Sequence, residues 1–307
     1  MNLLVTGCCG HIGSYIAENV CKIKKIKKTI LVDNIKSNRF SSLFNLKKKN
    51  NLKFYLRDLN ENNSLKDLKN IDYVIHCASM TNAEKSFGRE KEMFKNNINC
   101  LTTVINFCKK NNSKLIHLSS TSVYGKQADI VDENCEKKYL KPQSPYAKIK
   151  LVEEEMLKKV SKKIKYNTFR FGTICGISKG IRFHTAVNKF CLNASIGENI
   201  NVYKTALHQY RPYLSLKDAF KVFKFSIEKN FFTNDIFNCL SGNFTVNQIL
   251  NKIKKYKKNI NIKLVSAPIM NQLSYHVSSE KLNKEGLKLK SNIDRDIKDT
   301  LSLFKNI

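Results

Sequence analysis

Short apolar runs alternate with longer stretches of helical period through the first half of the chain. Asn2–Thr6 is an apolar run that ends at Gly7, and His11–Cys21 follows with apolar positions at helical spacing. Thr29–Val32 is a second run, closed by Asp33; Leu52–Leu56 is a third and Tyr73–Cys77 a fourth. Glu92–Lys110 then carries Phe94, Ile98, Leu101, Val104, Ile105 and Cys108 on one helical stripe. Lys114–Leu118 is a fifth strand and Tyr166–Phe171 a sixth. Between them Pro145–Lys159 reads as a helix, with Pro in its first turn and Ser144 at the N-cap. Short strands that are apolar throughout, separated by helices, form a parallel sheet covered on both faces. The pattern predicts an α/β fold with a doubly wound parallel sheet.

The rhythm loosens after Thr173, which predicts a main domain over 1–173 and a smaller lobe over 174–307. Tyr213–Ser226 and Phe237–Cys239 are expected to return to the main sheet, so that strands from about 205–240 interweave the two parts. Lys252–Lys263 reads as a solvated helix face followed by a strand. No Pro/Gly-rich linker, low-complexity tract or internal repeat interrupts the chain.

Composition narrows the function classes. With 307 residues and 42% hydrophobic, the chain has ample material for a core. Its 55 Lys and Arg against 25 Asp and Glu give a formal charge of +30, but the lysines are spread evenly. Even spread marks a compositional bias, and no dedicated nucleic-acid surface is expected. The ten cysteines contain no C-x-x-C pair, so neither a metal site nor a disulfide framework is expected. The start MNLLVTG lacks a basic segment followed by a long apolar stretch, and no run reaches the ~20 apolar residues of a membrane span. The expectation is a cytoplasmic protein.

Chemistry enters at the first turn. Gly7, Gly10 and Gly13 form G-x-x-G-x-x-G between a strand and a helix. Glycines there permit a tight turn and close approach of a pyrophosphate, which the helix N-terminus attracts. Asp33 ends the second strand, placed to bind the adenosine ribose hydroxyls. Its charge would repel a 2′-phosphate, which favours NAD over NADP, and Lys36 and Arg39 are the cations that could soften the choice. Arg57, Asp58 and Leu59 follow the third strand and fit a loop beside the adenine.

Tyr146 and Lys150 are four residues apart at a helix start, hence on one helical face. An ammonium beside a phenol favours the phenolate, which suits a residue that moves a proton to and from an alcohol. Ser119, Ser120, Thr121 and Ser122 gather hydroxyls at the carboxyl end of the fifth strand, where open α/β sheets bind ligands.

Taken in order, VTGCCGHIGS, LVDN, RDL, VIHCAS, FKNNINCLTTV, HLSSTSVYG, SPYAKIK, RFGTICG, RPYLSLKD and SYHVSSEKL resemble the extended short-chain dehydrogenases/reductases of the NAD-dependent epimerase/dehydratase family. The resemblance implies a Rossmann domain with a substrate-binding lobe, NAD as cofactor, a nucleotide-linked sugar as substrate and a homodimer. By position it implies Ser120, Tyr146 and Lys150 as the catalytic set. Around the cofactor it implies Gly7, Gly10, His11, Ile12, Gly13, Asp33, Asn34, Asp58, Leu59, Cys77, Ala78, Ser79 and Asn96, besides Tyr146 and Lys150. For the substrate it implies Arg211 on the nucleotide diphosphate. Many relatives carry Asn where this chain has Thr173, and Asn188 is the alternative sugar-nucleotide contact.

Sugar 4,6-dehydratases of this type place an Asp-Glu pair just after the catalytic hydroxyl, and related decarboxylases a Glu. Here those positions are Thr121 and Ser122, and a hydroxyl cannot protonate a leaving group as a carboxyl does. The expected activity is a nucleotide-sugar 4-epimerase acting through a transient keto sugar. A 4-keto reductase and a non-catalytic dinucleotide-binding protein remain the alternatives.

Overall fold

The computed structural model describes all residues except 49–50, 83–85, 126–129, 267–274 and 307. Ser274, the first residue of the SYHVSSEKL block, therefore lies outside the described residues. The strands are β1 (Asn2–Thr6), β2 (Lys28–Asp33), β3 (Leu52–Leu56), β4 (Tyr73–His76), β5 (Lys114–Ser120), β6 (Ile130–Val131) and β7 (Tyr166–Phe171), then β8 (Thr173–Cys175), β9 (Ile200–Tyr203), β10 (Tyr210–Ser215), β11 (Ile236–Cys239), β12 (Gly242–Thr245), β13 (Ile262–Val265) and β14 (His276–Val277). The helices are α1 (His11–Asn19), α2 (Glu90–Asn111), α3 (Pro145–Lys159), α4 (Ala186–Ser195), α5 (Leu216–Glu228), α6 (Val246–Lys254), α7 (Glu280–Lys284) and α8 (Ile293–Ser302).

Seven strands form one parallel sheet in the order β11-β7-β5-β4-β1-β2-β3. Alternation along each strand feeds two cores. Leu3 and Val5 of β1 pack with Leu31, Ile75, Ile116 and Phe169 under α1 and α5. Leu4 points the other way and packs with Ile30, Val32, Val74 and Leu115 under α2 and α3. A third core joins α4, α6 and α8 to β9 and β10 through Val187, Ile200, Tyr213, Ile249 and Ile297.

Two expectations are corrected. Of the stretch 205–240, only β11 enters the main sheet; β10 instead lies between β8 and β12 in a separate three-stranded sheet. The turn at Gly172 allows this, because a Cβ there would stand 2.9 Å from the Pro212 carbonyl oxygen, so only glycine lets the chain step from β7 to β8 beside β10. On α2 the helix begins at Glu90, two residues before the expected start at Glu92, and Phe94 is exposed. Met93 takes the buried position in that turn. No helix among the described residues is long and apolar enough to cross a membrane.

Candidate active site

Because the seven strands run parallel, their carboxyl ends share one edge, and the chain leaves them there as loops. A cleft of about 290 Å³ opens along that edge. Gly7 follows β1, Cys77 follows β4, Ser120 ends β5 and Phe171 ends β7, and all four line it.

At one end of the cleft lies the glycine turn. Gly7 holds φ +69°, and a Cβ on it would stand 2.5 Å from the Ala78 nitrogen. Gly10 caps α1 with no side-chain bond, and the first turn carries no acidic residue. The helix thus presents His11, Ile12 and Gly13 N–H groups to the cleft, as a pyrophosphate requires. Asp33 is held by the backbone: Oδ2 accepts from Cys9 N at 2.9 Å and Oδ1 from Ile35 N at 2.8 Å. Beside it, Asp58 accepts from Asn34 at 3.2 Å and Lys36 at 2.7 Å. These bonds overcome the effect of burial and hold the Asp58 carboxyl well below its usual range. Lys36 is thereby engaged with Asp58, and Arg39 is the cation that lines the cleft near Asp33. Leu59 is buried in the sheet's second core. The uncapped helix and the glycine turn fit a pyrophosphate, and the Asp33 carboxylate, at the carboxyl end of β2, is held against that turn through Cys9 N. The thiols of Cys8 and Cys9 also approach Asp33, and the Cys9 bond and burial push the Cys8 thiol far up.

The loop after β4 carries Cys77, Ala78 and Ser79, and Cys77 and Ser79 line the cleft. The loop is fastened by Asn97, whose amide accepts from Met80 N at 2.8 Å and donates to Met80 O at 3.1 Å. Asn96, the expected residue, lies one position away and bonds Asn60 and Asn97. The pair NN gave no way to tell them apart by sequence; the buried one carries the loop.

Ser144 caps α3, its Oγ accepting from Ala147 N at 3.2 Å, which fixes the helix start and puts Tyr146 in the first turn at the cleft. Lys150 follows on the same face, its Nζ 5.7 Å from the Tyr146 ring centre. Burial opposes the Lys150 charge, but Glu153 and Tyr146 outweigh it and hold the ammonium above its usual pKa. Glu153 was not anticipated. It accepts from Lys150 Nζ at 2.7 Å and pairs with His117 Nε2 at 2.9 Å, entirely inside the protein. Burial would raise this carboxyl, yet Lys150 and His117 bring it down to about 2. Ser120 Oγ accepts from Ser122 N at 3.2 Å and shares a second bond with Ser122 Oγ at 2.9 Å, in which either hydroxyl can donate. Thr121 also lines the cleft, its Oγ1 donating to the Phe171 carbonyl at 3.3 Å.

On the lobe side, Thr173 and Arg211 line the cleft, and Arg211 Nε is shielded from solvent without a partner among the described residues. Asn188 is buried away from it: its amide accepts from Gly176 N at 3.3 Å and donates to the Arg182 carbonyl at 3.0 Å. Asn188 thus supports the loop that carries Arg182. Arg182 itself went unnoticed in the sequence, since its loop has no period. It lines the cleft, donates from Nη1 to Thr81 Oγ1, and has a shielded Nε with no partner among the described residues. Enclosure by protein lowers its pKa to about 10, despite the favourable neighbour Tyr146.

Residues 3–239 match the NAD dependent epimerase/dehydratase family. The chain belongs to this family. It is 26% identical over 318 residues, 99% of this chain and 47% of the relative, to the trifunctional UDP-glucose 4,6-dehydratase/UDP-4-keto-6-deoxy-D-glucose 3,5-epimerase/UDP-4-keto-L-rhamnose-reductase of Arabidopsis thaliana. It therefore spans about half the length of that curated relative. The structure of a UDP-N-acetylglucosamine 4-epimerase from Methanobrevibacter ruminantium, in complex with UDP-N-acetylmuramic acid, superposes with a TM-score of 0.85 at 25% identity, covering 99% of this chain and 98% of that one. A Thermus thermophilus UDP-glucose 4-epimerase complex with NAD shares the fold, with a TM-score of 0.82 at 20% identity over 100% of this chain and 99% of that one. Members of the family are NAD-dependent enzymes acting on nucleotide sugars.

Proposed function

We propose that this chain is a nucleotide-sugar 4-epimerase. The observation that carries the reading is a single cleft holding the uncapped glycine turn and Ser120, Tyr146 and Lys150, with hydroxyl residues at 121 and 122. NAD, when bound, takes up the hydride of a sugar carbon and gives it back. Tyr146 accepts the proton of the hydroxyl on that carbon and later returns it, while the Ser120 proton bonds the same oxygen. Lys150 provides positive charge behind Tyr146, and Glu153 keeps that lysine charged and in place. The keto sugar turns over between the two transfers, so the hydrogen returns to its other face. Arg211, with Nε free, suits the nucleotide diphosphate.

A 4-keto reductase would use the same residues once and release the oxidised cofactor. Denatured protein that releases stoichiometric NAD supports the closed epimerase cycle; protein that carries none favours the reductase. The decisive test is conversion of nucleotide-linked hexoses into their 4-epimers. Tyr146→Phe should slow it by about 10²–10⁴-fold while NAD still binds. Undiminished turnover by that variant removes the reading. The protein is further proposed to act as a homodimer, with exposed Phe94 on α2 and Val152 on α3 covered by the second copy.

A further inference from the structure

Apart from the catalytic set, one group of metal-ligand side chains stands together among the described residues. The thiols of Cys8 and Cys9 and the carboxylate of Asp33 place their ligand atoms within 4.8 Å of one another. No C-x-x-C spacing announces the group, because the two thiols are neighbours in the chain and the carboxylate comes from the end of β2. In an extended strand adjacent side chains point to opposite faces. After Gly7, at φ +69°, the chain turns, and the two Sγ atoms fall together, 4.0 Å apart. Two thiolates on a tetrahedral zinc, each at about 2.3 Å, stand about 3.8 Å apart, so this pair needs little movement. The turn is clamped in place: Gly7 N and Cys8 N donate to the Val32 carbonyl at 2.8 and 3.3 Å, and Cys9 N donates to Asp33 Oδ2 at 2.9 Å. Each Asp33 oxygen accepts a backbone bond and keeps capacity for a second partner.

The Cys9 bond, burial and the charge of Asp33 all favour the protonated Cys8 thiol. A hard cation, which seeks oxygen, gains little there; a thiophilic one displaces the thiol protons and takes both sulfurs. A divalent ion on two thiolates and one carboxylate leaves a single negative charge, and Arg39 is placed so that its charge acts on both Asp33 and Cys9. Matching of this kind is what an enclosed set of charges requires. We propose that Cys8, Cys9 and Asp33 form a site for a thiophilic divalent cation such as Zn²⁺, and that this cation and NAD exclude one another. The exclusion follows from shared parts. The carboxylate that would meet the adenosine ribose becomes a ligand, and the two cysteines lie between Gly7 and Gly10, inside the turn that receives the pyrophosphate. Three protein ligands leave the fourth tetrahedral position to water. The site is inhibitory and separate from the hydride chemistry: it rests on Asp33 at the ribose, and not on the epimerase reading.

The test uses the whole chain, reduced and freed of NAD. Cd²⁺, a spectroscopic substitute for Zn²⁺, should give a thiolate-to-metal ultraviolet band, and Zn²⁺ should remove it by displacement. With Zn²⁺ held at about ten times its own Kd, NAD affinity should fall about tenfold, as mutual exclusion demands, while Mg²⁺ leaves it unchanged. Metal binding should tighten from about pH 6 to about pH 8, because the thiols release protons to the solvent. In the double variant Cys8→Ala with Cys9→Ala the band should vanish, and Zn²⁺ should no longer move that variant's own metal-free NAD affinity. If the double variant does not fold, wild-type protein saturated with NAD serves as the control: it should give no Cd²⁺ band. Absence of a band in wild type overturns the proposal, as does a band that persists in the double variant, which would belong to others of the ten cysteines. A band with NAD affinity unmoved overturns the exclusion and takes Asp33 off the ribose. None of these outcomes touches the epimerase reading, which is decided by 4-epimer formation in metal-free protein.

Discussion

A buried lysine next to a reacting phenol needs something to keep it charged, and here that is Glu153, tied on its other side to His117 of β5. Glu153→Ala would strand the Lys150 ammonium in the interior. Breaking a buried pair from one side costs about 3–5 kcal/mol, so urea melts of that variant should show a loss of this order. Melts indistinguishable from wild type would mean that Lys150 finds another partner. The hydroxyls at 121 and 122 carry a second expectation. Both line the cleft, and neither can protonate a leaving hydroxyl as a carboxyl does, so incubation with nucleotide-linked hexoses should give no 4-keto-6-deoxy sugar. Its ultraviolet absorbance in base is the signal that would refute this. Asp33 carries a third: NAD should bind more tightly than NADP in titration, unless Arg39 compensates the 2′-phosphate. At this scale the sequence was uneven. Tyr146, Lys150 and Ser120 were legible because they sit at fixed spacings on elements with strong periods. Glu153 was not, since a glutamate in the run Glu153–Glu155 reads as a solvated face; only the strand packed above it makes it internal. Arg182 and Asn97 were missed because burial, and not spacing, sets them apart.

Among the elements, α1 bears the cofactor turn and tolerates least. A Cβ on Gly13 would run into the Gly7 carbonyl oxygen and stand 2.7 Å from Cys8 Cα, both backbone atoms that cannot move aside. Gly13→Ala should therefore lose NAD binding in equilibrium titration, with a lowered melting temperature; retained affinity would show that the turn can open. The elements of the first half were readable because strands such as β1 and β4 are short runs rich in apolar residues and α3 starts at the Ser144 cap; α1 and α2, without a side-chain cap, were read from period. The second half was not: the buried end of β10, Pro212–Ser215, reads like a main-sheet strand, and nothing local tells that it pairs with β8 and β12. The exposed Phe94 marks a different limit. Spacing puts it on the stripe of Leu101, but a stripe says nothing of where cover by the sheet begins. Charge placed there, as Phe94→Glu with Val152→Glu, should yield a monomer in light scattering if a second copy covers this face.

For the molecule as a whole, two buried histidines make acid the weak side. Burial depresses His11 to about 3, with Arg182 adding to it, and His76 to about 3, with His117 adding to it. The unfolded chain takes up these protons near pH 6.5, the native one only near 3, so stability falls as pH drops through that window. The slope is about 1.4 kcal/mol per pH unit for each histidine. Glu153, depressed to about 2, adds to the loss below about pH 4.5. Urea midpoints at pH 7 and pH 5 should differ accordingly, and an unchanged midpoint would contradict the burial of these rings.

The order of the sheet has one more consequence, for synthesis. β7 is buried along its whole length, and the strand that covers its outer edge, β11, is encoded after α4 and α5. While the chain is still emerging from a ribosome, at about 5–20 residues per second, Phe169 and Phe171 wait with an open edge until residue 239 appears. A gene cut at codon 173 would make that delay permanent. Such a fragment should collect in inclusion bodies, although every glycine of its cofactor turn is intact.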